Sequence, residues 1–267
     1  MKQLTIAIIG LFLVISCKND KSTTVGDKAT TTETAMTKEK TKATKTKYSL
    51  SPFSKSPGYT DAKISDMVYK GGKFTFDVTG TDYKLGMQTP DAGAKMCANS
   101  AKGQHIHLIV DNEPYAAKYT SNFDYDIKNG EHTLMAFLSR SYHESIKTPQ
   151  AHIFKKITVD NKGITKAMDI TEPMVTYSRP KGTYVGKDTK KVMLDFYVSN
   201  AELGKDGYKL DANINGESHN IDKWQPYYLE GLPMGENKIT LSLMKGDKLI
   251  NKVTRMFELK EEVEMKK

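Results

Sequence analysis

From about residue 65 onward, apolar and polar residues alternate with a period of two, and no long stretch sustains a period of 3.6. A chain patterned this way folds into short strands with one face buried and the other wet. The pattern occurs twice. The first copy reads Lys73-Phe-Thr-Phe-Asp-Val78, His105-Ile-His-Leu-Ile-Val110, Thr133-Leu-Met-Ala-Phe-Leu138 and Ile153 to Val159; the second reads Met193-Leu-Asp-Phe-Tyr-Val198, Lys209-Leu-Asp-Ala-Asn-Ile214, Lys238-Ile-Thr-Leu-Ser-Leu243 and Val253 to Leu259. Turn residues separate the runs: Gly71-Gly72, Asp111-Asn112, Asn129-Gly130, Asn215-Gly216 and Lys245-Gly-Asp247. The expectation is an all-β protein with two tandem immunoglobulin-like antiparallel β-sandwich domains, at 48–160 and 172–260, a linker at 161–171 and a frayed tail at 261–267.

What precedes residue 48 reads as an address. Lys2 supplies a positive start, residues 4–15 are apolar but short for a membrane span, and Val14-Ile15-Ser16-Cys17 resembles a bacterial lipobox. That resemblance implies a signal peptide at 1–16 and an acylated Cys17 that anchors the protein to the membrane. Residues 17–47 then read as a disordered tether rich in Lys and Thr, with too little apolar surface to offset the entropy of ordering. Residues 18–47 hold eight lysines against four carboxylates, which together with Lys2 accounts for +5 of the net +8. The folded part is therefore close to neutral, which gives no support to nucleic-acid binding.

The two copies act as controls for each other. On the strand beginning at His105 the core face is Ile106, Leu108 and Val110, so His105, His107 and Ile109 share the opposite face. The second copy places Lys209, Asp211 and Asn213 there, an ordinary solvated face. On the strand before Leu138 the non-core residues are Met135 and Phe137, against Thr240 and Ser242. An apolar outer face needs a cover. Gly86 and His105 are nineteen positions apart, whereas Gly204 and Lys209 are five apart, an insertion of about fourteen residues. The insertion carries Met87, Met96 and Cys97 and is expected to fold over His105, His107, Met135 and Phe137. Five of the six histidines lie between 105 and 152.

Imidazole suits copper, zinc, iron and nickel, and sulfur ligands select Cu(I) or zinc. His-x-His on a strand sends both rings the same way. The expected metal ligands are His105, His107 and His143 with Cys97 or Met96, binding copper or zinc with an affinity that falls as pH drops through about 6.5. A second reading places a phosphopeptide or other anionic ligand on Arg140 and His143, with Tyr142 and His132 nearby. A third is a structural or protein-interaction module with no small ligand. Motifs for enzymes are missing: there is no Gly-x-Ser-x-Gly, no His-Glu-x-x-His and no phosphate-binding glycine loop.

The stretches Gly103-Gln-His-Ile-His-Leu-Ile-Val-Asp-Asn-Glu-Pro-Tyr115, Asn129-Gly-Glu-His-Thr-Leu134 and Phe137-Leu-Ser-Arg-Ser-Tyr-His-Glu-Ser145 carry a resemblance over residues 103–160. With Cys17-Lys-Asn-Asp20, they resemble Bacteroidetes-type envelope lipoproteins labelled phosphopeptide-binding protein. More distantly, they resemble a small bacterial β-sandwich family of unknown function with a His-x-His strand, a Gly-x-His-Thr-Leu strand start and a further loop histidine. His105, His107, His132 and His143 fall on those motif histidines. The resemblance implies a lipid-anchored protein of the bacterial envelope, on the outer membrane, facing either the periplasm or the surface.

Overall fold

The computed structural model describes residues 48–262. The expected signal peptide, Cys17, the tether and residues 263–267 lie outside the described residues. The strands of the first half are β1 (Ser49–Pro52), β2 (Lys63–Lys70), β3 (Lys73–Thr79), β4 (His105–Val110), β5 (Ala116–Lys118), β6 (Asn122–Asp124), β7 (Gly130–Ser139), β8 (His152–Asp160) and β9 (Gly163–Asp169). Those of the second half are β10 (Met174–Arg179), β11 (Gly182–Val185), β12 (Lys191–Ser199), β13 (Lys209–Ile214), β14 (Glu217–Ile221), β15 (Tyr227–Glu230), β16 (Gly235–Lys245) and β17 (Lys248–Lys260). Three short 3-10 turns complete the assignment, and no α-helix occurs among the described residues.

The repeated sequence pattern is a repeated topology. The first sandwich opposes β2-β3-β6 to β5-β4-β7-β8; the second opposes β10-β12-β15 to β14-β13-β16-β17. The register repeats as well. Leu108 pairs with Ala136 and Ala212 with Leu241, while Ala136 pairs with Ile153 and Leu241 with Val253. Equivalent residues thus meet equivalent partners, because a one-residue slip would turn each apolar set outward. Phe74 and Phe76 join Ile106, Leu108, Leu134, Ala136 and Leu138 in the first core. Leu194, Phe196, Leu210, Ala212, Ile239 and Leu241 occupy the second.

Edge additions distinguish the halves. The segment 161–171, expected as a linker, contains β9. This strand pairs along β8 and touches β2 through Lys70 and Gly163, so the eight strands β2 to β9 join one sheet. Its side chains are mostly exposed, so it carries no buried alternation to betray it. The segment at 49–52, expected in the first sandwich, is instead β1 of the second, where it pairs with β15. Tyr48 and Leu50 pack against the second core, and that apolar contact decides the placement. On the other edge, β11 pairs in parallel with β17.

The outer face of β4 and β7 is buried, but by a different cover from the one expected. Ile109, Met135, Phe137 and Phe154 form a third apolar cluster with Tyr115 and with Tyr197 of β12, and Trp224 packs against it. Phe137 and Tyr197 stack with ring centroids 5.2 Å apart. The second sandwich, rather than the insertion at 86–105, covers Met135 and Phe137. The insertion lies over the loop at 139–145: Thr89 and Ser141 exchange hydrogen bonds of 3.1 and 2.9 Å, and Ser100 N donates to Ser141 O at 2.9 Å. Every residue of β4 is buried, whereas its counterpart β13 alternates between a buried face and an outer face with Lys209, Asp211 and Asn213.

Candidate metal centre

His105 and His107 leave β4 on one face, as the period of two requires. Their backbone is pinned from the core side, where Tyr83 Oη donates to the carbonyls of His105 and Ser139 at 3.2 and 3.0 Å. The approach to β4 is just as restricted. Gly103 has φ +85°, and a Cβ there would lie 2.4 Å from Gly86 O and 2.6 Å from Met87 O. Only glycine lets these backbones approach so closely.

His143 arrives from the loop after β7 and has φ +72°. A left-handed residue other than glycine costs roughly 1–2 kcal/mol. The turn sustains it: His143 N donates to Arg140 O and Arg140 N to Glu144 O, both at 2.9 Å. The left-handed residue sits where the chain must turn its ring back toward β4.

One ligand nitrogen from each of His105, His107 and His143 lies within 4.8 Å of the other two. His105 Nε2 is 2.9 Å from His107 Nε2 and 3.1 Å from His143 Nδ1. The Tyr115 ring stacks on His107 at 3.6 Å, and its hydroxyl is 3.4 Å from His143 Nδ1. Second contacts set the tautomers. His105 Nδ1 donates to Gly103 O at 2.8 Å, since a carbonyl only accepts, so Nε2 presents its lone pair inward. His107 Nδ1 faces Ser178 Oγ of β10 at 3.3 Å. A hydroxyl donates or accepts, so His107 has two tautomers open to it. With its proton on Nε2 it donates to His105, and protons alone satisfy the pair. With its proton on Nδ1, two lone pairs face each other and require a cation between them. Outer hydrogen bonds of this kind orient imidazole ligands in metal sites. Tetrahedral zinc with Zn–N of about 2.0–2.1 Å sets nitrogens about 3.3 Å apart, so the two short pairs need open by only a few tenths of an ångström, within a set that spans no more than 4.8 Å.

All three rings are held neutral. Burial lowers the His105 pKa to about 4, against a raising effect of the Gly103 carbonyl. Burial pushes His107 well below the ordinary range, helped by His105, His143, Arg179 and Lys181. Burial does the same for His143, with Arg179 the next cause. The expected loss of ligand character near pH 6.5 is therefore displaced to more acid conditions, because desolvation disfavours imidazolium.

The remaining expected site residues sit elsewhere. The Met96 side chain is turned to solvent, 64 % exposed. Cys97 is buried beside His143, lining a small cavity with Arg179 and Tyr184, outside the cluster of ligand nitrogens. Burial raises its thiol to about 12. His132 lies five residues down β7 from Phe137, the partner of His107. It bridges Asp111 Oδ2 at 2.6 Å and Lys128 O at 2.8 Å, a strand-end clasp. Arg140 is turned inward onto Glu144 at 3.5 Å and the carbonyls of Ser145 and Pro57. Tyr142 is fully buried, under the ammonium of Lys95 at 5.4 Å from its ring centroid. The set assigned to an anionic peptide is thus dispersed, and its guanidinium is engaged.

Sequence reasoning missed Tyr115, Ser178, Arg179 and Lys181. A signal existed for Tyr115, because the turn Asn112-Glu-Pro-Tyr115 leads into β5, which runs back along β4. None existed for β10, whose approach to the histidines depends on how the second sandwich meets the first.

No protein-family model and no curated protein matches the chain. Among solved structures it is similar to fibronectin(III)-like modules of Clostridium thermocellum CbhA, at 16% identity over 33% of this chain and 98% of that one, with a TM-score of 0.28. It is also similar to the central fibronectin-III array of RIM-binding protein, at 8% identity over 75% of this chain and 68% of that one, with a TM-score of 0.26.

Proposed function

We propose that the protein is a non-enzymatic, lipid-anchored protein of the bacterial envelope whose first sandwich holds a transition-metal ion, copper or zinc. The observation that carries the metal reading is the convergence of His105, His107 and His143, buried and within 4.8 Å of one another at their ligand nitrogens. The donor set is three imidazoles, a set that suits Zn(II) and Cu(II) better than soft Cu(I), since neither Met96 nor Cys97 contributes sulfur. The supporting contrast lies within the chain: Lys209 and Asp211 occupy the matching positions of the second sandwich on a wet face. Ser178 comes from β10, so the metal would sit where the two sandwiches meet. The lipid anchor rests on Val14-Ile15-Ser16-Cys17 and the polar stretch that follows.

The test is the metal content of the chain purified without a histidine tag, followed by titration with Cu(I), Cu(II) and Zn(II). The expected result is one ion per chain, lost in His107→Ala and retained in Asp211→Ala. Equal binding by the wild type and the His105→Ala/His107→Ala double variant overturns the metal reading. Binding of a phosphorylated peptide that Arg140→Ala removes would favour the anionic alternative instead. For the anchor, palmitate labelling of wild type and Cys17→Ser decides; equal labelling of both rejects it.

A further inference from the structure

Arg179 ends β10 and is only 8 % exposed. It takes part in none of the ion pairs among the described residues. The buried carboxylates Glu144 and Asp195 are already paired, with Arg140 and Lys147. A buried lysine or histidine can shed its charge, but a guanidinium stays protonated. Its burial therefore has to be met by a partner. The protein offers neutral ones: Nη1 donates to Tyr184 Oη at 2.9 Å, and the Tyr115 and Tyr184 ring centroids lie 5.4 and 5.9 Å from its central carbon. Nε is buried without a hydrogen-bond partner. Lys181 adds a second cation, 4.2 Å from the Tyr115 ring centroid.

Beside Arg179 lies a cavity of about 10 Å³, lined in part by Cys97, His143, Tyr184 and Met193. About 10–15 Å³ on this measure is the space of a single water-sized particle. Its lining is mainly apolar, and its polar side chains include donors. Tyr184 Oη already accepts from Arg179 Nη1 and from Lys181 N at 3.3 Å, so both lone pairs are engaged and its own proton is free for another acceptor. Cys97 is a free, buried thiol. A fixed positive charge, an unused guanidinium N–H and further donors around one small space select a small anion. Phosphate and carboxylate groups are too large for it.

We propose that this cavity binds a monovalent halide such as chloride, held by Arg179 with Tyr184 and Cys97 donating to it. The site is separate from the metal reading and does not rest on it. Its occupant would neutralise the cation that faces the histidine cluster, coupling the two regions electrostatically.

The test uses the full chain without added metal. Thermal unfolding is followed in sodium chloride and in sodium gluconate at equal ionic strength. Once chloride exceeds the dissociation constant, each tenfold increase should raise Tm by about 3–5 °C, and gluconate should not. Crystals grown in bromide should show an anomalous peak against the Arg179 guanidinium. Arg179→Met should lose the chloride response; if that variant does not fold, the bromide peak in the wild type remains decisive. Equal Tm in the two salts with no bromide at Arg179, or a chloride response that survives in Arg179→Met, overturns the proposal.

Discussion

Burial of three neutral histidines makes the stability of this fold depend steeply on pH. A histidine whose folded pKa lies below its unfolded value of about 6.5 stabilises the fold fully above that value. The contribution is lost as pH falls, because the unfolded chain takes up protons that the native ring refuses. With the His105 pKa at about 4, the window from pH 6.5 to 5 lies wholly on the sloping part. One such histidine loses at most about 1.4 kcal/mol per pH unit, and about 1.6 kcal/mol across that window. His107 and His143 shift in the same direction, each because of burial, and add to the loss. His152, partly buried, adds to it. In His132 burial pulls the pKa down, but Asp111 and the Lys128 carbonyl outweigh it, so this partly buried ring opposes the trend. Even the His105 part is a sizeable fraction of the stability of an ordinary domain, about 5–15 kcal/mol. Most carboxylates still keep their charge at pH 5, so the histidines dominate. Urea unfolding of metal-free protein at pH 7.5, 6.5, 5.75 and 5.0 measures the slope, and His107→Leu should make it shallower. A stability that is flat between pH 6.5 and 5, or a slope that His107→Leu leaves unchanged, would refute the reasoning.

Other perturbations test the packing that builds the site. Gly103→Ala should destabilise by more than about 1 kcal/mol in urea unfolding, because φ is +85° and the new Cβ meets two backbone oxygens; Gly93→Ala, with nothing within 4 Å, should stay within about 0.5 kcal/mol. Phe137→Ala should cost about 3–5 kcal/mol by the same assay, since the ring is fully buried against Tyr197, while Ser242→Ala at the matching position should cost less than about 0.5 kcal/mol. Asp195→Ala removes the partner of Lys147, 2.6 Å away and itself largely buried, and leaves Ser145 N without its acceptor. A loss of about 3–5 kcal/mol is expected, measured as a shift in the urea midpoint.

The strands and their registers were legible in the sequence because side-chain alternation is a local property. Ile106, Leu108 and Val110 can face a core only if His105 and His107 face away from it, and the second copy supplied the reference for what that outer face ordinarily holds. The insertion before His105 and its free cysteine were legible too. The edge strand β9 was not, because it is held by backbone hydrogen bonds and shows little buried alternation. Nor was the cover over β4 and β7. Which surface meets an apolar face depends on long-range packing, and here Tyr197 and Trp224 occupy the space that sequence reasoning assigned to the insertion. The same packing brought Ser178, Arg179 and Lys181 to the histidines and left Met96 in solvent. Sequence determined which side chains leave each strand together. Tertiary structure decided what they meet, because the free energy of burying a face depends on the partner surface, and that surface lies far away along the chain.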